Sequence, residues 1–306
     1  MNIEKVSFAS SVDGLMIDGI VALPDAPVKG VIVMAHGVAE YKERYLEMME
    51  ILTGHGFACA MNDHRGYGKS IRSAEDYGYT YQAGSEGTSK DFSDFERLIA
   101  RKFPGKKLFL YGHSMGSLVA LNHLKHACTR FSGVVLSGLP VNTPAAAAGK
   151  GYLLLKKKLK GDRYRDEGAK KMMFGPYNAK FKSENIENAW LNSDKEAVKA
   201  YNDDPMCGKT LTVDGYLSLL NLLIGTYQAK DYRLINNLLP IDIFVGENDP
   251  CVGFEDGAGK SAAFINKLGF VKSELHVMKG MRHEIHNETD GAEVIHKIAK
   301  AFEKAL

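Results

Sequence analysis

Cysteine is scarce in this chain: four in 306 residues, Cys59, Cys128, Cys207 and Cys251, widely separated and without a C-x-x-C pair. That excludes a disulfide framework or a thiolate metal site, and four reduced thiols are expected. Charge of one sign is lacking too. A net charge of +2 gives no case for nucleic acid as a partner of the whole chain. No apolar run approaches the roughly 20 residues of a membrane-spanning helix. The opening MNIEKVSFAS is charged within four residues and has no apolar stretch of the kind a secretion signal needs, so a cytoplasmic protein is expected. Phosphate-loop and zinc signatures fail as well. GYGKS at 66–70 has Asp63 where the first glycine of such a loop belongs, and Gly149-Lys150 has Pro144 there and Gly151 in place of Ser or Thr. HEIHN has Asn287 where a second zinc-binding histidine would stand. No metal and no cofactor are expected.

What is present suits a globular enzyme. Hydrophobic residues make up 45% of a chain long enough for one large core with an insertion. VSFASSVDGLMIDGIVAL predicts an antiparallel hairpin turning at Asp13-Gly14. GVIVMAHG, FACAMND, LFLY, FSGVVLSG, PIDIFVGEND and ELHVM read as strands, the longer runs apolar enough for burial on both faces. Helical segments alternate with them, from Tyr45 to Gly54 and over DFSDFERLIARKF, where Phe92, Phe95, Leu98 and Ile99 share a face. Such alternation predicts an α/β fold with a mostly parallel central sheet and helices on both faces. Between Val141 and Leu238 it stops, and residues 150–182 carry eleven Lys or Arg against three Asp or Glu. The expected organisation is a core of 1–140 and 239–306 with an inserted helical cap, or lid, at 141–238.

The stretch LFLYGHSMGSLVAL at 108–121 passes from strand to helix through Gly112-His113-Ser114-Met115-Gly116. A turn that tight strains the serine backbone, and the flanking glycines remove side-chain clashes. The pattern is a nucleophile elbow that exposes Ser114. A serine nucleophile needs a histidine base, an acid to orient it and donors for the oxyanion. His123 and His126 lie on the helix after the elbow and cannot fold back. His283 and His286 follow the strand ELHVM at the carboxyl edge of the sheet; His283 is the expected base and His286 an exposed or structural histidine. After PIDIFVG, Asp249 is favoured over Glu247 as the acid, and Asp242 sits inside the strand. The order Ser114, Asp249, His283 is that of the α/β-hydrolases. The N–H groups of Met115 and Val38 are the expected oxyanion donors, with His36 a loop-packing residue.

HGVAEYKERY, DHRGYGKS, GHSMGS, GENDPCV and GMRHEIHNE resemble the corresponding segments of the monoacylglycerol lipase and lysophospholipase-like branch of the α/β-hydrolases, and WLNSDKEAVKAYNDDPMCG at 190–208 is similar to a cap segment of its bacterial members. The resemblance implies the same triad and oxyanion donors, an ion pair between Glu40 and Arg44 stiffening the HG loop, and a single-chain lipid ester as substrate. Tyr41 departs from the pattern, standing where many of these lipases have histidine. Leu219, Leu223 and Met172 are candidates for an acyl pocket. The basic stretch YLLLKKKLKGDRYR is either a solvated cap helix or a weak membrane-surface contact. Alternatives are a short-chain or aryl carboxylesterase, an aminopeptidase using Glu184, Glu187 or Asp194 to hold an amine, and a binding protein without chemistry.

Overall fold

The computed structural model describes residues 1–233 and 236–306. Its centre is one eight-stranded sheet in the order β1-β2-β4-β3-β5-β6-β7-β8. β1 (Asn2–Ala9) and β2 (Met16–Leu23) form the hairpin expected around Asp13-Gly14, and β2 also pairs antiparallel with β4 (Phe57–Asn62). From β4 onward neighbours are parallel: β3 (Gly30–Ala35), β5 (Lys107–His113), β6 (Phe131–Ser137), β7 (Ile241–Gly246) and β8 (Ser273–Met278). Every residue of β3 and β4 is buried, which is why their sequences are unbroken apolar runs.

Helices cover both faces. α1 (Leu46–Gly54) and α9 (Gly291–Glu303) enclose a core with Phe57, Phe109 and Phe302. On the other side α2 (Gly84–Lys102), α3 (Met115–Ala127) and α8 (Phe254–Lys267) pack around Phe92, Phe95, Leu118 and Ile265. α2 begins seven residues before the amphipathic stretch that marks it in the sequence. Its polar first turns become helical because Asp91 is buried there, accepting from the buried Arg65 guanidinium at 2.7 Å and the Ser10 hydroxyl at 2.5 Å.

Between β6 and β7 the chain forms α4 (Pro144–Lys160), α5 (Glu167–Phe174), α6 (Lys195–Asp203) and α7 (Val213–Thr226), with 3₁₀ turns at Gly175–Glu184 and Ala189–Leu191. α7 packs against α4, α2 and α3. Among the described residues no helix is long and apolar enough to cross a membrane.

Candidate active site

The elbow forms where β5 hands over to α3. Ser114 stands between them at φ 53°, ψ −120°, a conformation that costs a residue with a side chain on the order of 1–3 kcal/mol and persists only where the surroundings impose it. Close backbone contacts impose it here. A Cβ on Gly112 would lie 2.4 Å from the Gly116 carbonyl oxygen, and one on Gly116 would lie 2.0 Å from that of Ala35. Only glycine fits either position. The Ser114 N–H donates to the Ser137 carbonyl at 2.9 Å, tying the elbow to β6.

Two loops at the same sheet edge supply the next groups. Asp249 follows β7 and is fully buried; its Oδ1 accepts the Cys251 N–H at 2.8 Å, and its Oδ2 lies 2.7 Å from Nδ1 of His283, which follows β8 and is 2% exposed. Burial alone would lower the His283 pKa, but the charge and hydrogen bond of Asp249 outweigh it, and the net shift is upward. The His283 Nε2 is buried and has no hydrogen-bond partner among the described residues. Glu247 is turned away, accepting the Gly280 N–H, and Asp242 lies within β7 against His276. Gly138, at the end of β6, makes room for the ring. It has φ 58°, and a Cβ there would lie 2.9 Å from His283 Cε1.

The loop after β3 is held from inside. Glu40 Oε1 accepts the Gly37 N–H at 2.5 Å and the Tyr45 hydroxyl at 2.8 Å, and Oε2 accepts Arg44 at 2.6 Å. Arg44 also makes a two-pronged bond to Glu284, at 2.8 and 2.7 Å, locking this loop to the residue beside His283. Burial opposes ionisation of Glu284, yet the Arg44 guanidinium holds its pKa at about 2. Glu40 shares that cation, and burial with Glu284 nearby moves its pKa up. His36 packs inside the loop: its Nδ1 lies 2.7 Å from the Gly37 carbonyl, and its Nε2 accepts the His64 N–H at 2.9 Å. Burial, reinforced by His64, keeps its pKa well below the usual value, so it stays neutral. His286 is buried, not exposed; its ring stacks on Tyr45 with centroids 4.9 Å apart. Tyr41 donates to Asp204 at 2.9 Å, joining the HG loop to the segment between β6 and β7.

A cavity of about 40 Å³ joins Val38, Ser114 and His283 to Lys170, Phe174 and Trp190. Met115 opens α3, so its N–H has no intrahelical acceptor. Leu219, Leu223 and Met172 are not among the residues around this cavity: the two leucines, on α7, lie half-buried against the main core, and Met172 is 45% exposed. Trp190 and Phe174 line it instead; the Trp190 ring centroid is 4.9 Å from that of His283, and Phe174 stacks on Trp190. Trp190 and Glu284 escaped the sequence reading; being the sole tryptophan was the one available signal for the former.

Elbow, sheet order and the loops after β7 and β8 together define an α/β-hydrolase. The chain belongs to the family described as Serine aminopeptidase, S33, whose model matches residues 26–290. It is similar to a monoacylglycerol lipase of Mycolicibacterium smegmatis, 28% identical with 93% of this chain and 91% of the relative covered. It is also similar to human monoglyceride lipase (26% identical, covering 87% and 78%) and to Bacillus subtilis phospholipase YtpA (25%, covering 91% and 96%). Among solved structures, a thermostable carboxyl esterase from Bacillus coagulans superposes with a TM-score of 0.90 at 22% identity, over 100% of this chain and 99% of that one.

Proposed function

We propose that this protein is a serine hydrolase of single-chain lipid esters, a monoacylglycerol or a lysophospholipid, with Ser114 as nucleophile. The observation that carries it is the unpartnered Nε2 of His283, whose other nitrogen is held by Asp249, in the cavity that Ser114 also lines. His283 takes the Ser114 proton as Oγ attacks the ester carbonyl, and the N–H groups of Val38 and Met115 receive the oxyanion. His283 then protonates the departing alcohol. Water, deprotonated by His283, releases the fatty acid from the acyl-enzyme. The names of the relatives support a lipid substrate. The acids lining the cavity, Glu40 and Glu284, are both committed to Arg44. Of the candidates for holding a peptide amine, Glu184 is bound to Arg282, Glu187 pairs with Lys170 at 3.1 Å and Asp194 caps α6. None of this favours an aminopeptidase.

Small-molecule sites usually measure about 300–1,000 Å³, so a cavity of about 40 Å³ is closed to an acyl chain. Residues 141–238 act as the cap that must move aside. α4 gives that cap a lipid-facing side: Leu154, Leu155 and Leu159 are 50%, 57% and 66% exposed beside Lys157, Lys158 and Lys160. A helix with exposed leucines among lysines suits an anionic bilayer surface. Exchanging Leu155 and Leu159 together for Glu is expected to weaken co-sedimentation with phosphatidylglycerol vesicles by about tenfold or more, from lost apolar burial and added like charge. The activity is tested with p-nitrophenyl esters from acetyl to palmitoyl, a monoacylglycerol and a lysophospholipid. Ser114-dependent rates that rise with chain length support the lipid reading; rates confined to the shortest esters sink it in favour of a small-molecule carboxylesterase.

A further inference from the structure

The loop that carries His283 lies bound to a stretch of the insertion. The N–H of Glu284 donates to the Leu191 carbonyl at 2.8 Å, that of His283 to the Trp190 carbonyl at 3.4 Å, and the Asn192 side-chain amide to the Asn287 carbonyl at 2.7 Å. A 3₁₀ turn of three residues, Ala189–Leu191, is too short to use its own carbonyls, and buried backbone groups need partners. Arg282 provides the rest. Its guanidinium donates to the carbonyls of Ala189 at 2.6 Å and Asn192 at 3.0 Å, pairs with Glu184 and lies 3.9 Å from the centre of the Phe181 ring. Glu288 closes the other end: Oε1 accepts the N–H groups of Arg282 at 2.8 Å and Ser193 at 3.0 Å, and Oε2 accepts the Ser193 hydroxyl. Both charged side chains are largely buried, and the triad uses neither.

We infer that Arg282, braced by Glu288, is a positioning residue for the reaction: by binding Glu184–Ser193 to the histidine loop it keeps Trp190 against the His283 ring. The inference rests on the ester-hydrolase reading above. One hydrogen bond to Asp249 orients Nδ1 of His283, and a single bond leaves an imidazole free to swing about its two side-chain torsions. Packing removes that freedom. The His113 ring at 4.7 Å, the Gly138 backbone and the Trp190 ring at 4.9 Å enclose the imidazole, with Nδ1 on Asp249 and Nε2 left for Ser114. Trp190 is the one of these walls that the insertion supplies. Phe174, which stacks on the indole, belongs to α5, whereas the Arg282 bonds hold the Trp190 segment to the base itself. They are charge-assisted, the strong kind. Of the insertion proposed above to open, residues 184–193 therefore remain in place, and the base keeps its wall while substrate enters.

The test uses the full chain and p-nitrophenyl butyrate. Arg282→Met and Trp190→Ala should each lower kcat by about tenfold to a hundredfold, with KM changed by less than about twofold, as a small misplacement of a catalytic group does. The double variant should be no slower than Trp190→Ala alone, because both substitutions remove the same constraint. Trp190 is the sole tryptophan, so its emission reports the clamp directly. Arg282→Met should shift that emission to the red and open it to quenching by acrylamide. Glu288→Gln should preserve emission and kcat, since the amide oxygen still accepts both N–H groups and the amide nitrogen can donate to the Ser193 oxygen; Glu288→Ala should lose both. If Arg282→Met does not fold, the Gln and Ala variants at 288 decide in its place. Hydrogen exchange over 184–193 should stay slow after a hexadecyl fluorophosphonate has reacted with Ser114. Lowered melting with kcat intact, additive losses in the double variant, or fast exchange over 184–193 in the phosphonylated enzyme would overturn the assignment. Those results in an enzyme that hydrolyses the ester through Ser114 defeat this inference alone, whereas absence of any Ser114-dependent ester hydrolysis defeats the reading beneath it.

Discussion

Ser114→Ala is expected to lower kcat on a p-nitrophenyl ester by about 10⁵–10⁶, the order found when a serine nucleophile is removed from a triad that works as a unit. On the proposed mechanism the residual rate comes from binding and from the N–H groups of Val38 and Met115, which the substitution leaves in place. KM should change little, since one oxygen atom is lost from the cavity wall. Stability should hold as well. The Ser114 hydroxyl makes no hydrogen bond among the described residues, and Ala bears the same strained backbone at φ 53°. The check is kcat beside a thermal melt. A fall of less than about 10², with an unchanged melt, would place the nucleophile elsewhere.

Asp249→Asn is expected to cost about 10⁴ in kcat, because an amide can stabilise the wrong imidazole tautomer and cannot balance the imidazolium. The pH profile separates this from simple misfolding. On the proposed mechanism His283 acts as a base only when neutral, and Asp249 raises its pKa above that of an ordinary imidazole against the pull of burial. kcat/KM therefore falls as pH drops through a point above the ordinary imidazole range. With Asn at 249 the raising influence is gone and burial remains, so the acid limb moves to lower pH while the plateau drops. An acid limb that stays in place, or moves up, would mean that Asp249 does not charge-balance His283.

How far the sequence carried the site depended on how local each constraint is. The elbow was legible because its requirements act within a few residues: Gly112 and Gly116 are excluded from bearing a Cβ by backbone atoms packed against the turn itself. Buried parallel strands were legible because enclosure on both faces demands an unbroken apolar run, as in β3 and β4. The beginning of α2 was not, since its polar first turns are stabilised by Arg65 and Ser10 from elsewhere in the chain. The acyl-pocket candidates show the same limit. An apolar residue on α7 looks alike whether it faces substrate or a neighbouring helix, and the packing of α7 against α2, α3 and α4 leaves Leu219 and Leu223 half-buried against the core.

By itself, the amino-acid sequence determined the alternation of strand and helix, the place of the strained serine turn and the order in which serine, acid and histidine follow one another. These rest on propensity, burial pattern and turn chemistry, whose range is a few residues. Tertiary structure alone decided the strand order, the Arg44 bridge to Glu284 across 240 positions, the room Gly138 makes for His283, and the meeting of Trp190 with the histidine ring. Each of these depends on which surfaces meet after collapse, and residues far apart in sequence carry no local mark of the partner they will find.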